Sequence, residues 1–86
     1  MDKRILELRK QIDILDEKII LLLKNRMKIS KEVGKLKEKL NIPVEDKNRE
    51  SEIIDRLIQQ AGRNLSEEQL LRIFKAVFKS SKQIQR

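Results

Sequence analysis

The chain has 86 residues, so one domain is the upper limit, and we expect residues 1–86 to form a single domain. It contains no cysteine and no histidine, which excludes disulfides, thiol catalysis, and the commonest general base and zinc ligand. The formal net charge of +7 favours an anionic partner, but two phenylalanines cannot build base-stacking surfaces for single-stranded nucleic acid.

The first predicted element is a long helix from about Arg4 to Leu40. Its apolar residues recur at alternating intervals of three and four, the seam pattern of a coiled coil: Ile5, Leu8, Ile12, Leu15, Ile19, Leu22, Ile29, Val33, Leu36 and Leu40. Arg26 interrupts this seam, and a buried cation costs several kcal/mol unless it is paired. We therefore expect an anionic group to meet Arg26. An equally simple explanation is a register-setting residue paired to a carboxylate.

A loop and a second helix follow. Pro43 closes the first helix or follows its end closely, and residues 41–48 are predicted to form the loop. Either Asp46 or Asn48 is expected to be the N-cap of helix two. The apolar face of that helix is formed by Ile53, Ile54, Leu57, Ile58 and Ala61, and Gly62 suits its C-terminal end.

The third predicted helix begins after Ser66. Gln69 follows three residues later, and the pair has the spacing of a capping box. The apolar face of this helix is formed by Leu70, Ile73, Phe74, Val77, Phe78 and Ile84. No strand pattern appears anywhere in the chain, so the predicted fold class is all-α with three helices, the N-terminal one very long.

The length of helix one predicts a homodimer. Its 37 or so residues would extend about 55 Å, whereas a compact chain of this size has a radius of gyration near 12 Å. Two short helices cannot cover such a rod, so a second copy is expected to pair with it antiparallel, giving an intertwined helical bundle. Pairing about residue 22 brings Arg9 of the partner subunit close to Lys37, which lies roughly 16 Å from Arg26. Each dimer would then hold two sites completed in trans.

Two stretches carry a resemblance to a known family. The run LRKQIDILDEKIILLLKNRMKISKEVGKLK, followed by PVEDKNRESEIIDRL, resembles the all-helical class of chorismate mutases. The resemblance covers Leu8 to Leu57 strongly and helix three more weakly. It depends on a combination: LRxxIDxLD early, an arginine before the middle, EVGKxK, and then an acidic residue followed by RE. It implies three helices per chain with exchanged long helices. It also implies an isomerase that converts chorismate to prephenate in aromatic amino-acid biosynthesis, with no cofactor and no metal.

The resemblance also implies the cationic part of a substrate site. Arg9 of the partner subunit and Arg26 match the arginines that hold the two substrate carboxylates. Lys37 matches the lysine that contacts both a carboxylate and the ether oxygen. Guanidinium groups suit this task because they bind carboxylates in bidentate fashion and stay charged.

The remaining positions of the implied site come from the loop, helix two and helix three. Asp46 and Glu50 match positions near the substrate hydroxyl, and Glu50 would accept a hydrogen bond from that hydroxyl. Arg49 matches a supporting arginine. Ser81 and Gln85 match the last two positions and lie one helical turn apart on one face. Gln85 would join Lys37 in donating to the ether oxygen.

Taken singly, these residues have simpler explanations. Lys37 and Arg9 could simply be solvated charges that flank the apolar seam, and Asp46 could simply be a helix cap. Arg49 and Glu50 are ordinary first-turn residues, where a glutamate suits the helix dipole. Ser81 and Gln85 would otherwise be a small packing residue and a frayed surface residue. Only their joint match with the family favours a site.

Two other functions stay open beside the mutase. One is a lyase on the same fold that removes pyruvate from isochorismate. The other is a non-enzymatic basic coiled-coil module that binds nucleic acid or another helix. Acidic residues interspersed among the basic ones argue against nucleic acid. No apolar run approaches the roughly 20 residues of a membrane span and the charged N-terminus is unlike a signal peptide, so we expect a cytoplasmic protein with no membrane partner.

Overall fold

Three helices contain almost all of the chain in the computed structural model, which describes residues 1–86. Helix α1 spans Lys3–Leu40, α2 spans Lys47–Ala61 and α3 spans Glu67–Gln85, with no strand among them. The predicted all-α class and the order of three helices are confirmed. None of the helices is both long enough and apolar enough to cross a membrane.

The two ends of α1 are closed by local hydrogen bonds. The carboxylate of Asp2 accepts from the amide of Arg4 at 2.7 Å and caps the N-terminus. At the other end Asn41 has a φ of 54°, the left-handed conformation that terminates helices. The amide of Ile42 then donates to the carbonyl of Lys37 at 2.8 Å. The helix therefore ends shortly before Pro43, as the sequence predicts.

The structure shows which residue caps the N-terminus of α2 and confirms the capping box predicted for α3. Asp46, not Asn48, is the N-cap of α2, and its Oδ1 accepts from the amide of Arg49 at 3.0 Å. Asn48 lies inside the helix, so the loop is shorter than the predicted 41–48. In α3 the Ser66 hydroxyl accepts from the amide of Gln69 at 3.1 Å, and the Gln69 side chain accepts from the Ser66 amide at 3.0 Å. This is the predicted capping box.

Helix α3 packs against both other helices, whereas no Cα atom of α1 lies within 8 Å of a Cα atom of α2. The apolar side chains that become buried are few: Ile53, Leu70 and Phe78. The ring of Phe78 also meets that of Phe74 edge to face, with 5.9 Å between centroids. Because α1 and α2 stay apart, the chain leaves an open space between them with α3 at its base.

Most of α1 has no covering within the chain. Every residue from Met1 to Leu22 is exposed, and the exposed fraction of the seam residue Leu22 is 66%. The molecule measures 56 × 24 × 15 Å, and its radius of gyration is 16.4 Å, well above the value of about 12 Å for a compact chain of this length. Ile73 and Ile84, expected on the packed face of α3, are also exposed. A single copy thus buries only part of the apolar surface that the sequence encodes.

Candidate active site

A cavity of about 290 Å³ occupies the space between α1 and α2. Ligand sites in proteins start at roughly 300 Å³, so this cavity suits a small molecule. Seven of the eight site residues predicted from the sequence line it: Arg26, Lys37, Asp46, Arg49, Glu50, Ser81 and Gln85. They come from all three helices and the α1–α2 loop, and the fold brings them together.

Arg26 is half-buried at the base of this cavity. Its Nη1 donates to the Ser81 hydroxyl, and its guanidinium carbon lies 5.9 Å from the centroid of the Phe78 ring, within cation–π range. Burial, and to a lesser degree repulsion by the positive charge of Arg49, lowers the pKa of Arg26 from its usual value. The guanidinium nevertheless stays charged, because arginine does not deprotonate in proteins at ordinary pH.

The anionic group that we expect to meet Arg26 is not supplied by this chain, so the identity of that group stays a prediction. The ion pairs of the molecule involve other cations, and no carboxylate lies within 4.0 Å of the Arg26 nitrogens. The register-setting alternative required such a carboxylate and also finds none within the chain. A neutral hydroxyl and an aromatic face hold the guanidinium in place without neutralising it, which leaves its charge available to an anion.

Lys37 connects α1 to the loop and to α3. Its Nζ donates to the carbonyl of Val44 at 2.9 Å and to the side-chain oxygen of Gln85 at 3.3 Å. An ammonium group has three donors, so one remains for a ligand in the cavity. Because the Gln85 oxygen accepts from Lys37, the amide NH₂ of Gln85 is the end left to donate.

The acidic side of the cavity is formed around the start of α2. Asp46 is exposed and occupied as the helix cap, while the Nη1 of Arg49 pairs with the carboxylate of Glu52 at 3.3 Å near the surface. Glu50 is half-buried, and its Oε2 lies 3.4 Å from the Nζ of Lys82. Asp46, Arg49 and Glu50, which the family resemblance assigns to the site, therefore lie together at one edge of the cavity.

Several lining residues were missed by the sequence reasoning. The one charged residue among them is Lys82, and the others are Ile29, Ser30, Val33, Val44, Ile53 and Phe78. The sequence did carry a signal for Lys82, because it lies on the same helical face as Phe78 and Gln85 at spacings of four and three. The apolar members form part of the cavity wall, and of these Ile29 and Val33 remain exposed within a single chain.

The charges that line the cavity are unbalanced. Four cations, Arg26, Lys37, Arg49 and Lys82, face two carboxylates, Asp46 and Glu50, so the lining carries two net positive charges. The chain contains no group of three or more acidic, histidine or cysteine side chains able to hold a metal. The arrangement is suited to a small doubly negative molecule.

Arg9 is the one predicted site residue that the structure does not bring to this cavity. It is exposed on α1, and its Nη1 lies 3.0 Å from the sulfur of Met1. Seventeen residues separate it from Arg26, about 25 Å along the helix axis. Within one chain these two arginines cannot grip the same ligand, so the placement of Arg9 in trans stays a prediction.

The fold and the cavity define a three-helix protein with a cationic site for a small anion, and comparisons with known proteins identify its family. The family model described as chorismate mutase type II matches residues 8–86. The chorismate mutase of Methanocaldococcus jannaschii is 32% identical over 100% of this chain and 88% of its own length. The bifunctional chorismate mutase/prephenate dehydratase of Aquifex aeolicus is 43% identical over 62% of this chain, but the matched region is only 15% of that relative.

Solved structures agree with the sequence matches. The chorismate mutase (form II) from Thermus thermophilus superimposes with a TM-score of 0.93 at 31% identity, covering 96% of this chain and 94% of that one. The chorismate mutase from Helicobacter pylori in complex with prephenate gives a TM-score of 0.90 at 33% identity, covering 98% and 91%. The chain belongs to the type II chorismate mutase family of isomerases, and the resemblance drawn from its sequence is confirmed.

Proposed function

We propose that the chain rearranges chorismate to prephenate in the cavity between α1 and α2, with Arg9 of the partner subunit completing the site. The observation that carries this proposal is the convergence of seven predicted residues from separate parts of the chain on one cavity. The net positive charge of its lining is opposite in sign to the two carboxylates of the substrate. Electrostatic attraction of this kind concentrates and orients a dianion.

The reaction asks little covalent chemistry of the protein. One ether carbon–oxygen bond breaks while one carbon–carbon bond forms within the same molecule, without a nucleophile or a proton transfer. The first task of the site is to hold the flexible dianion in the compact, chair-like conformer that can react. Arg26 serves this task through one carboxylate, because Ser81 and Phe78 fix its guanidinium before the substrate arrives.

The second task is to stabilise the negative charge that develops on the ether oxygen as its bond lengthens. Lys37 contributes its remaining donor, and Gln85 contributes its amide NH₂. Both groups are held by contacts within the chain, so little reorganisation is needed during the reaction. Losing one such donor typically costs about 3 kcal/mol, or on the order of a hundredfold in rate.

The polar edge of the cavity positions the substrate ring. Glu50 accepts a hydrogen bond from the ring hydroxyl, while Asp46 and Arg49 shape the entrance beside it. Their support is position alone: all three line the same cavity at the first turn of α2.

The homodimer belongs to the same proposal. The first 22 residues are exposed throughout, and the chain buries only three apolar side chains, too few for a stable core. A second copy with its α1 antiparallel covers this surface and carries Arg9 of the partner subunit toward Lys37. We place the dimer in the cytoplasm, in aromatic amino-acid biosynthesis.

The test is loss of chorismate absorbance with purified protein, together with a molar mass from light scattering. We expect formation of prephenate and a mass about twice 10.3 kDa. A parallel assay with isochorismate, following release of pyruvate, tests the lyase alternative. No turnover of chorismate, or a monomer at working concentration, would overturn the proposal.

A further inference from the structure

Lys82 forms an ion pair with two carboxylates at once. Its Nζ lies 3.4 Å from the Oε2 of Glu50 at the first turn of α2 and 3.6 Å from the Oε1 of Glu45 in the preceding loop. The lysine side chain is 25% exposed and that of Glu50 is 28% exposed, so the pair is partly withdrawn from water. Above, Lys82 enters only as one of the four cations that line the cavity, without a role of its own.

The pair between Lys82 and Glu50 stands in a wall of the cavity. Lys82 and Glu50 both line the cavity between α1 and α2. Glu50 also lines a second cavity of about 360 Å³, together with Glu45, on the other side of the start of α2. The ion pair therefore joins α3, α2 and the loop where the two cavities adjoin.

The charge of Glu50 creates a difficulty for a dianionic substrate. A carboxylate a few ångströms from another carboxylate repels it, and the repulsion grows in a partly desolvated cavity. Glu50 can accept from a ring hydroxyl without weakening binding only if a cation beside it cancels its charge. Lys82 is the only cation within ion-pair distance of Glu50.

We propose that Lys82 is a positioning residue, which neutralises Glu50 and anchors it to α3 and the loop so that this carboxylate orients the substrate ring without repelling the dianion. The inference rests on the proposed function, since it assumes that chorismate occupies this cavity. It assigns Lys82 an action through Glu50 and no contact of its own with the substrate.

The experiment is a kinetic double-mutant cycle on chorismate turnover with Lys82→Gln, Glu50→Gln and the double variant. With Glu50 intact, Lys82→Gln is expected to raise KM about tenfold and to change kcat less than about threefold, because charge repulsion acts on the ground state and the transition state alike. With Glu50 already replaced, the same change is expected to raise KM by less than about threefold. Lys82→Arg keeps the cation and is expected to restore KM to within about threefold of the wild type.

The control is Lys79→Gln, an exposed residue one turn earlier on α3 that lines neither cavity. Its kinetics are expected to match the wild type, and circular dichroism verifies that every variant is folded. Equal KM increases with and without Glu50, or no increase for Lys82→Gln, would overturn the inference while the wild type remains an active mutase. If the wild-type protein itself does not turn over chorismate, the proposed function and this inference are both overturned.

Discussion

The backbone of Gln85 lies directly against Gly34. A Cβ built on Gly34 would stand 2.7 Å from the Cα of Gln85 and 2.9 Å from its carbonyl oxygen. Two of the three nearest atoms belong to the backbone and the third is the Cβ of Gln85, so a side-chain rotation cannot relieve the contact. The glycine therefore sets the spacing of α1 and α3 at the point where the Lys37 ammonium meets the Gln85 amide at 3.3 Å.

Replacing this glycine is expected to impair activity more than stability. Gly34→Ala gains about 1 kcal/mol of helix propensity, but overpacking costs typically 1–3 kcal/mol and moves Gln85 away from Lys37. We expect a loss of stability of at most about 2 kcal/mol and a fall in kcat of at least about tenfold. Chemical denaturation and chorismate turnover measure the two effects. Lys35→Ala, on the exposed neighbour, is the control, and full activity of Gly34→Ala would show that the contact does not position Gln85.

Lys37 is expected to act on the transition state. Lys37→Ala removes a donor held by Val44 and Gln85, so kcat is expected to fall on the order of a hundredfold or more while the dimer stays folded. Lys39→Ala removes an exposed lysine from the same last turn of α1 and is expected to leave kcat unchanged. Steady-state kinetics and light scattering measure the outcome. Near-normal turnover by Lys37→Ala would refute the role of the lysine.

Arg26 is expected to lower the stability of the fold while it contributes to substrate binding. Its pKa is lowered chiefly by burial, which shows that the folded state disfavours its charge. Because the pKa of Arg26 is lowered on folding, the protein gains stability only when pH is high enough for Arg26 to lose its proton. Between about pH 5 and 9 the arginine stays charged, so the stability lost by burying its charge does not change with pH.

Replacing the guanidinium by an apolar side chain tests whether Arg26 lowers stability while it supports activity. At equal protomer concentration, Arg26→Met is expected to raise the free energy of unfolding, because the partly buried guanidinium has no carboxylate partner in the chain. The same substitution is expected to lower kcat/KM at least about a hundredfold. Denaturation at pH 6 and pH 8 should give the same increment. A variant less stable than the wild type would mean that the interactions with Ser81 and Phe78 outweigh the cost of burial.

Asp46 combines two roles that two substitutions separate. Asn keeps the cap on the Arg49 amide but removes the charge, whereas Ala removes both. Asp46→Asn is expected to keep wild-type stability, and Asp46→Ala to lose about 1 kcal/mol. Thermal melts compare stability and turnover of chorismate compares function. Equal stability of the two variants would argue against the cap, and unchanged kinetics in both against a place at the site.

The sequence predicted the helices well because their determinants are local. The periodicity of α1, the Ser66–Gln69 capping box and the stop before Pro43 each depend on residues within a turn or two of one another. The N-cap of α2 was ambiguous for the same reason, since Asp46 and Asn48 both suit a cap and only the path of the loop selects Asp46.

The site was predicted less completely because its contacts join residues distant along the chain. Arg26 meets Ser81 across 55 positions, and this contact depends on the rotation of α3 about its axis, which a sequence pattern does not define. The same rotation brings Lys82 to Glu50. The family resemblance supplied seven of the fourteen residues that line the cavity, while periodicity alone assigned them to separate helices.

The central claim is that each site is shared between two chains, with Arg26 from one and Arg9 of the partner subunit. Arg9→Ala and Arg26→Ala homodimers are each expected to be nearly inactive, since each lacks one arginine at both sites. In a heterodimer of the two variants, one site regains both arginines and the other loses both. Chains that exchange freely at equal amounts make half of the dimers mixed, so about a quarter of all sites would be intact.

The decisive measurement is chorismate turnover after the two inactive variants are unfolded together and refolded as a mixture, with heterodimers verified by differential tagging. Recovery of roughly a quarter of wild-type activity is the predicted result. Each variant refolded alone is the control and should remain inactive. Verified heterodimers with no recovered activity would contradict a site shared between subunits.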